Sequence, residues 1–341
     1  MNKTLFYIPL LALFIISCNC TQKTAEAKNE IHTYLKTITT SDLKKHLTVI
    51  ASDDMQGRNT GEPGQKKAAQ YLVDFYKKSN ISYPKGANSY FQKIPSKYFL
   101  KAFSPKLGDS ENVWAFIEGS EKPEEVLVIS AHYDHVGMKN GEVYNGADDN
   151  GSGTSSVLEI AEAFALAKKN GAGPKRSILF LHVTGEEHGL HGSRYYTENP
   201  IFPLANTIAD LNIDMVGRRD DLHPNTNNYI YLIGSDRLST DLHNISEEAN
   251  EKYTQLKLDY TYNAEDDPNR FYYRSDHYNF AKNGIPSLFY FNGTHEDYHQ
   301  PSDDVSKIEF DALQKRVQLI FATAWELANR ENKPVVDKPI K

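Results

Sequence analysis

Two stretches of this chain leave little choice of fold. Val126-Leu127-Val128-Ile129-Ser130-Ala131 and Ser177-Ile178-Leu179-Phe180-Leu181-His182-Val183 are nearly unbroken apolar runs. Neither shows the polar alternation of a strand with one wet face, so both faces must be covered. Between them, Thr154 to Lys168 carries Val157, Ile160, Ala161 and Phe164 on one helical face. Further strands are expected at Asn112–Glu118, Ala209–Met215, Tyr229–Gly234 and Pro286–Phe291. Helices are expected over 41–78 (two, around the turn Gly57-Arg58-Asn59-Thr60-Gly61-Glu62-Pro63-Gly64), over Arg237–Lys252 and over Phe310–Asn329. Segments 218–228 and 255–273 read as polar surface loops. Strand and helix alternate, which predicts an α/β fold: a three-layer α/β/α sandwich around a mixed, mostly parallel central sheet.

The 341 residues suit one large domain, expected over 31–333, with a short tail at 334–341. A formal charge of −7 argues against a nucleic-acid partner, whose footprint is basic. The first residues have the layout of a signal peptide, expected over 1–17. Lys3 supplies a positive start, Leu5 to Ile16 is almost wholly apolar, and Ser17 precedes Cys18. Ile15-Ile16-Ser17-Cys18 resembles a bacterial lipobox. That implies export and a lipid on Cys18, anchoring the chain to the bacterial cell envelope, with 18–30 as lipidated N-terminus and flexible tether. The only cysteines are Cys18 and Cys20. The expected domain therefore has no disulfide and no thiolate nucleophile or ligand, and any metal site there must use His, Asp and Glu.

Ligands of sheets of this class bind beyond the carboxyl ends of the strands, and polar clusters fall at those ends. Ala131-His132-Tyr133-Asp134-His135 follows the first apolar run. His132 and Asp134, two apart in extended chain, face the same way, and a metal-bound imidazole commonly gives its second N–H to a carboxylate. A lone histidine here would more often be structural. Asn145-Gly146-Ala147-Asp148-Asp149-Asn150-Gly151-Ser152-Gly153 precedes the helix at 154; alone it reads as a capped loop. Thr184-Gly185-Glu186-Glu187-His188-Gly189 follows the second run; alone it reads as an acidic helix start, but two adjacent dry carboxylates demand a cation or a proton to move. Asn212-Ile213-Asp214-Met215 puts an acid in an apolar strand. Asp297-Tyr298-His299-Gln300-Pro301-Ser302-Asp303-Asp304 follows the last strand.

Taken in order, these clusters resemble the co-catalytic di-zinc exopeptidases of peptidase clan MH, which include bacterial leucyl aminopeptidases and glutamate carboxypeptidases. The resemblance runs from about 44 to 330, and Ala51-Ser52-Asp53-Asp54-Met55-Gln56-Gly57-Arg58 is similar to the entry segment of many bacterial members. It implies a zinc peptidase catalytic domain of the zinc exopeptidase (phosphorylase/hydrolase-like) fold with two Zn²⁺ ions. Asp149 would bridge them; Glu187 and His299 would complete one ion, His132 and Asp214 the other. Glu186 would be the general base, Asp134 would support His132, and Tyr298 would help hold the oxyanion. A cis peptide after Asp149 is implied as well.

The expected function is a zinc-dependent aminopeptidase hydrolysing N-terminal peptide bonds through a metal-activated water, with peptides as its partners. His and carboxylate ligands suit zinc. A carboxypeptidase or dipeptidase on the same core stays open, and a basic cluster at the pocket would favour it; Arg218, Arg219, Arg270 and Arg274 are the candidates. Glutaminyl cyclisation, or a binding protein on a dead peptidase fold, fits the full ligand set less well. His182 reads as a buried, hydrogen-bonded residue. His188 and His191 read as the start of a helix, and His135 and His295 as neighbours of ligands. Ser275-Asp276-His277 is left bordering the pocket.

Overall fold

The computed structural model describes residues 31–101 and 107–340. The expected signal peptide, Cys18 and the tether lie outside the described residues. No helix among the described residues is long and apolar enough to cross a membrane.

The strands are β1 (Phe91–Ile94), β2 (Ser110–Ile117), β3 (Lys122–His132), β4 (Arg176–Val183), β5 (Thr207–Ile213), β6 (Tyr229–Ile233), β7 (Lys257–Asp259) and β8 (Ser287–Phe291). They form an eight-stranded sheet in the order β1-β2-β4-β3-β5-β8-β6-β7. β3 is parallel to β4 and β5, and β5 to β8. The carboxyl ends of β3, β4, β5 and β8 therefore share one edge. β1, β2 and β6 join by antiparallel pairings. This is the expected mixed, mostly parallel α/β sheet.

Both apolar runs are buried on two sides, as their composition requires. In β3, Leu127, Ile129 and Ala131 face one core while Val126 and Val128 face the other; in β4, Ile178 and Phe180 alternate with Leu179, Leu181 and Val183. The first core is roofed by α1 (Thr40–Ile50), α2 (Pro63–Lys78), α3 (Gly153–Lys169), α5 (Thr240–Ala249) and α7 (Phe310–Asn329). On the opposite face lie α4 (His191–Glu198) and α6 (His277–Ala281), through Tyr196 and Phe280. Thr39 caps α1 by accepting from the Asp42 N–H at 3.1 Å, which satisfies one of the amides that a helix start leaves unpaired.

Three expectations need correction. β1 and β7 were not foreseen, and β7 lies inside the segment 255–273 that reads as loop. The helix expected from Arg237 starts instead at Thr240, where the Ser239 side chain accepts from Leu242 N–H. His188 lies in a turn, and the helix begins at His191.

His182 on β4 is fully buried, 2.7 Å from the Tyr76 hydroxyl. Burial depresses its imidazole to about 3, against about 6.5 in an unfolded chain. The unfolded chain takes up this proton from about pH 6.5 downward and the folded one does not, so stability falls as pH drops through that window, by up to about 1.4 kcal/mol per pH unit. Gln at this position keeps a hydrogen-bonding partner for Tyr76 without titrating. Urea unfolding at pH 7 and pH 4 should show a smaller loss in His182→Gln than in the parent. Identical losses would remove His182 as a source of acid sensitivity.

Candidate metal centre

The shared strand edge gathers the polar clusters. His132 is the last residue of β3, Glu186 and Glu187 follow β4, Asp214 follows β5, and His299 lies in the loop after β8. Asp149 comes from the segment Ala147–Ser152 leading into α3. The peptide bond Asp149–Asn150 is cis.

Asp149 divides its two oxygens between two groups of donors. Its Oδ1 lies 3.4 Å from His132 Nε2, which is also 3.2 Å from Asp214 Oδ1. Its Oδ2 lies 2.9 Å from His299 Nε2, which is 3.1 Å from Glu187 Oε2. His135, set aside on sequence grounds, belongs to the second group: its Nδ1 is 2.8 Å from Glu187 Oε1 and 3.8 Å from Asp149 Oδ2. His132, Asp149 and Asp214 form one cluster of ligand atoms all within 4.8 Å of one another, and His135, Asp149 and Glu187 form another.

This donor chemistry fits divalent cations. Asp149 Oδ2, Glu187 Oε1 and both ring nitrogens of His135 are buried without a hydrogen-bond partner. They are close in distance yet do not point at one another as hydrogen bonds do. Each such orphan costs roughly 1–3 kcal/mol, a penalty that an ion among them removes. Imidazole with carboxylate is a donor set that suits zinc.

Other side chains hold these donor groups in place. Both oxygens of Asp303 accept from the Asp148 N–H at 3.0 and 3.1 Å, and Oδ2 also accepts from the Asp149 N–H at 3.0 Å. Ser275 Oγ donates to Asp214 Oδ2 at 2.6 Å and accepts from Asn212 Nδ2 at 2.8 Å. Neither role was legible in sequence. Asp148 is occupied structurally, taking the Gly217 N–H at 2.6 Å on Oδ1 and lying 3.1 Å from His295 on Oδ2.

Asp134 differs from expectation in detail. Its backbone oxygen is 3.2 Å from His132 Nδ1, while its carboxylate stands 3.8 Å away. That carboxylate accepts instead from Thr60 Oγ1 at 2.8 Å and Glu186 N–H at 3.3 Å. β3 has already ended at His132, so strict alternation no longer governs Asp134.

Gly146 permits this crowding. It has φ +54, and a Cβ there would stand 2.2 Å from Asp149 O and 2.5 Å from the His135 ring. Buried Arg58 spans the same loops, donating to the carbonyls of Tyr133, Ile50, Asn145 and Gly146. At the other side, buried Arg316 of α7 donates to the carbonyls of Tyr229, Val216, Arg218 and Asn227.

Glu186 faces a pocket also lined by Asp149, Asp214 and Tyr298. Burial, opposed by His132 and reinforced by Asp214 and Glu187, pushes its carboxyl well above the usual range. The Tyr298 ring stacks on His299 at 4.0 Å. Burial and the nearby acids Asp149 and Glu187 raise its phenol, which stays an O–H donor at neutral pH. Apolar walls are supplied by Met215, Phe271, Phe289 and Phe291, with Thr294 and Arg274 beside them. Of the four basic candidates from the sequence, Arg274 lines this pocket, while Phe271, Phe289, Phe291 and Thr294 carry no sequence signal of that role.

Comparison with known proteins agrees with this geometry. Residues 112–324 match Peptidase family M28. The probable leucine aminopeptidase of Trichophyton verrucosum (strain HKI 0517) is 31% identical over 225 residues, covering 64% of this chain and 57% of that protein. The chain thus spans little more than half the length of that curated relative. Among solved structures, LapB from Legionella pneumophila aligns with a TM-score of 0.69 at 21% identity, over 88% of this chain and 75% of that one. BSAP, a zinc aminopeptidase from Bacillus subtilis, aligns at 0.65 and 18% identity, over 89% and 99%. A single family match over most of the chain, on a fold shared with these structures, leads to one assignment: the chain belongs to peptidase family M28.

Proposed function

We propose that this protein is an aminopeptidase that uses two divalent ions, most naturally zinc. The observation that carries the reading is Asp149, whose two oxygens serve two separate donor groups beside an acid, Glu186, that faces an open pocket. In this reading His132, Asp149 and Asp214 hold one ion, and Asp149, Glu187 and His299 hold the other, with His135 as a further donor against Glu187. Bound ions supply Lewis acidity toward the peptide carbonyl and make water more acidic. The chain's own groups do the rest. Glu186 accepts a proton from the attacking water as the C–O bond forms, then delivers it to the amine nitrogen as the C–N bond breaks. The Tyr298 hydroxyl donates to the developing oxyanion. Asp134 and Thr60 hold the turn that carries Glu186.

The names of the relatives support removal of N-terminal residues. Lipidation at Cys18 and attachment to a bacterial envelope remain part of the proposal on the strength of residues 1–20 alone. Purified protein should hydrolyse aminoacyl anilides, fall to about 1% or less after exhaustive chelation, and recover on adding zinc, in line with the several kcal/mol that metal contributes. Turnover that survives complete metal removal would sink this mechanism.

A further inference from the structure

Among the described residues that line the pocket beside Glu186, Asp149, Glu186 and Asp214 are acids on the donor side, Met215 and the phenylalanines are apolar, and Arg274 is the one base.

Arg274 also differs from Arg218 and Arg219, which are ion-paired. Arg218 is bound to Asp297 at 3.0 Å, and Arg219 to Glu309 at 3.2 Å. Arg270 lies over the Tyr273 ring at 5.0 Å. The pocket acids Asp149, Glu186 and Asp214 lie against His132. Its guanidinium lies over the face of Phe271, 4.8 Å from the ring centroid, and Phe271 is itself a pocket wall. Stacking of this kind holds the guanidinium in place and leaves its edge N–H groups free. The next residue, Ser275, is tied to Asp214, which fixes the backbone of Arg274 one step from the donor cluster. Arg274 is exposed, so these two constraints are what keep its guanidinium at the pocket.

Resting on the aminopeptidase reading, we propose that Arg274 receives a carboxylate of the substrate. The favoured substrates are then peptides with a negative charge next to the bond that is cut. That charge has two sources of the same chemistry: the side chain of an N-terminal Asp or Glu, or the terminal carboxylate of a dipeptide. Both present a planar, bidentate partner to the guanidinium edge.

The test uses the full chain loaded with zinc and two matched pairs of substrates. Glu-anilide against Leu-anilide reports on the side chain; Leu-Gly against Leu-Gly-amide reports on the terminus. The native protein should prefer the charged member of at least one pair in kcat/KM, and that pair identifies the source. In Arg274→Gln this preference should fall about 10- to 100-fold, mainly through KM, as loss of a charged hydrogen-bonded partner predicts. Arg274→Lys should recover part of it. An unchanged preference in Arg274→Gln, an equal loss on charged and neutral members, or a loss that Lys does not partly restore would each overturn the proposal while leaving the aminopeptidase reading intact. A zinc-loaded native protein that cleaves none of the four substrates overturns that reading and this proposal with it.

Discussion

Replacing Glu186 with Gln should lower kcat by about 10²–10⁴-fold while the protein still binds its metal. The two carboxylates after β4 divide the work. Glu187 packs against His135 and His299 and belongs to the donor cluster. Glu186 lines the pocket, with its nearest donor-cluster contact a 4.0 Å approach to His132. An amide at 186 keeps the size and loses the ability to take a proton. Metal content by emission spectroscopy and kcat on a leucyl anilide, measured on the same preparation, check this. A variant near full rate would remove Glu186 as the base, and one that had lost its metal would place Glu186 among the ligands.

A second large effect is expected at Asp149. Asp149→Ala withdraws one oxygen from each donor group at once. Metal bound per chain should fall well below two, and kcat/KM should drop by about 10³-fold or more, since the metal contribution to such reactions is several kcal/mol. Excess zinc should not restore it. Retention of two ions in the variant would show that the groups around His132 and His299 are independent, contrary to the geometry.

The parts of this molecule that sequence reveals share a physical cause. β3 and β4 are legible because strands covered on both faces must be apolar throughout. The donor clusters are legible because the carboxyl ends of such strands are where a polar cluster has no packing excuse. β1 and β7 escaped because short strands at the sheet edges are partly exposed, with Lys93 and Lys257 facing solvent, so they read as loop. His135, Asp303 and Ser275 escaped for another reason. Each is defined by a partner distant in sequence: Glu187, the Asp149 amide and Asp214. Periodicity carries no trace of such pairings. The Asp134 contact shows the limit of period-two reasoning, which lapses one residue beyond the strand.

Arg316 lies on α7, about a hundred residues beyond Asp214 in sequence, yet its guanidinium gathers the carbonyls of Val216, Arg218, Asn227 and Tyr229. Any polypeptide that stops short of α7 leaves those carbonyls unanswered and the backbone behind Asp214 slack.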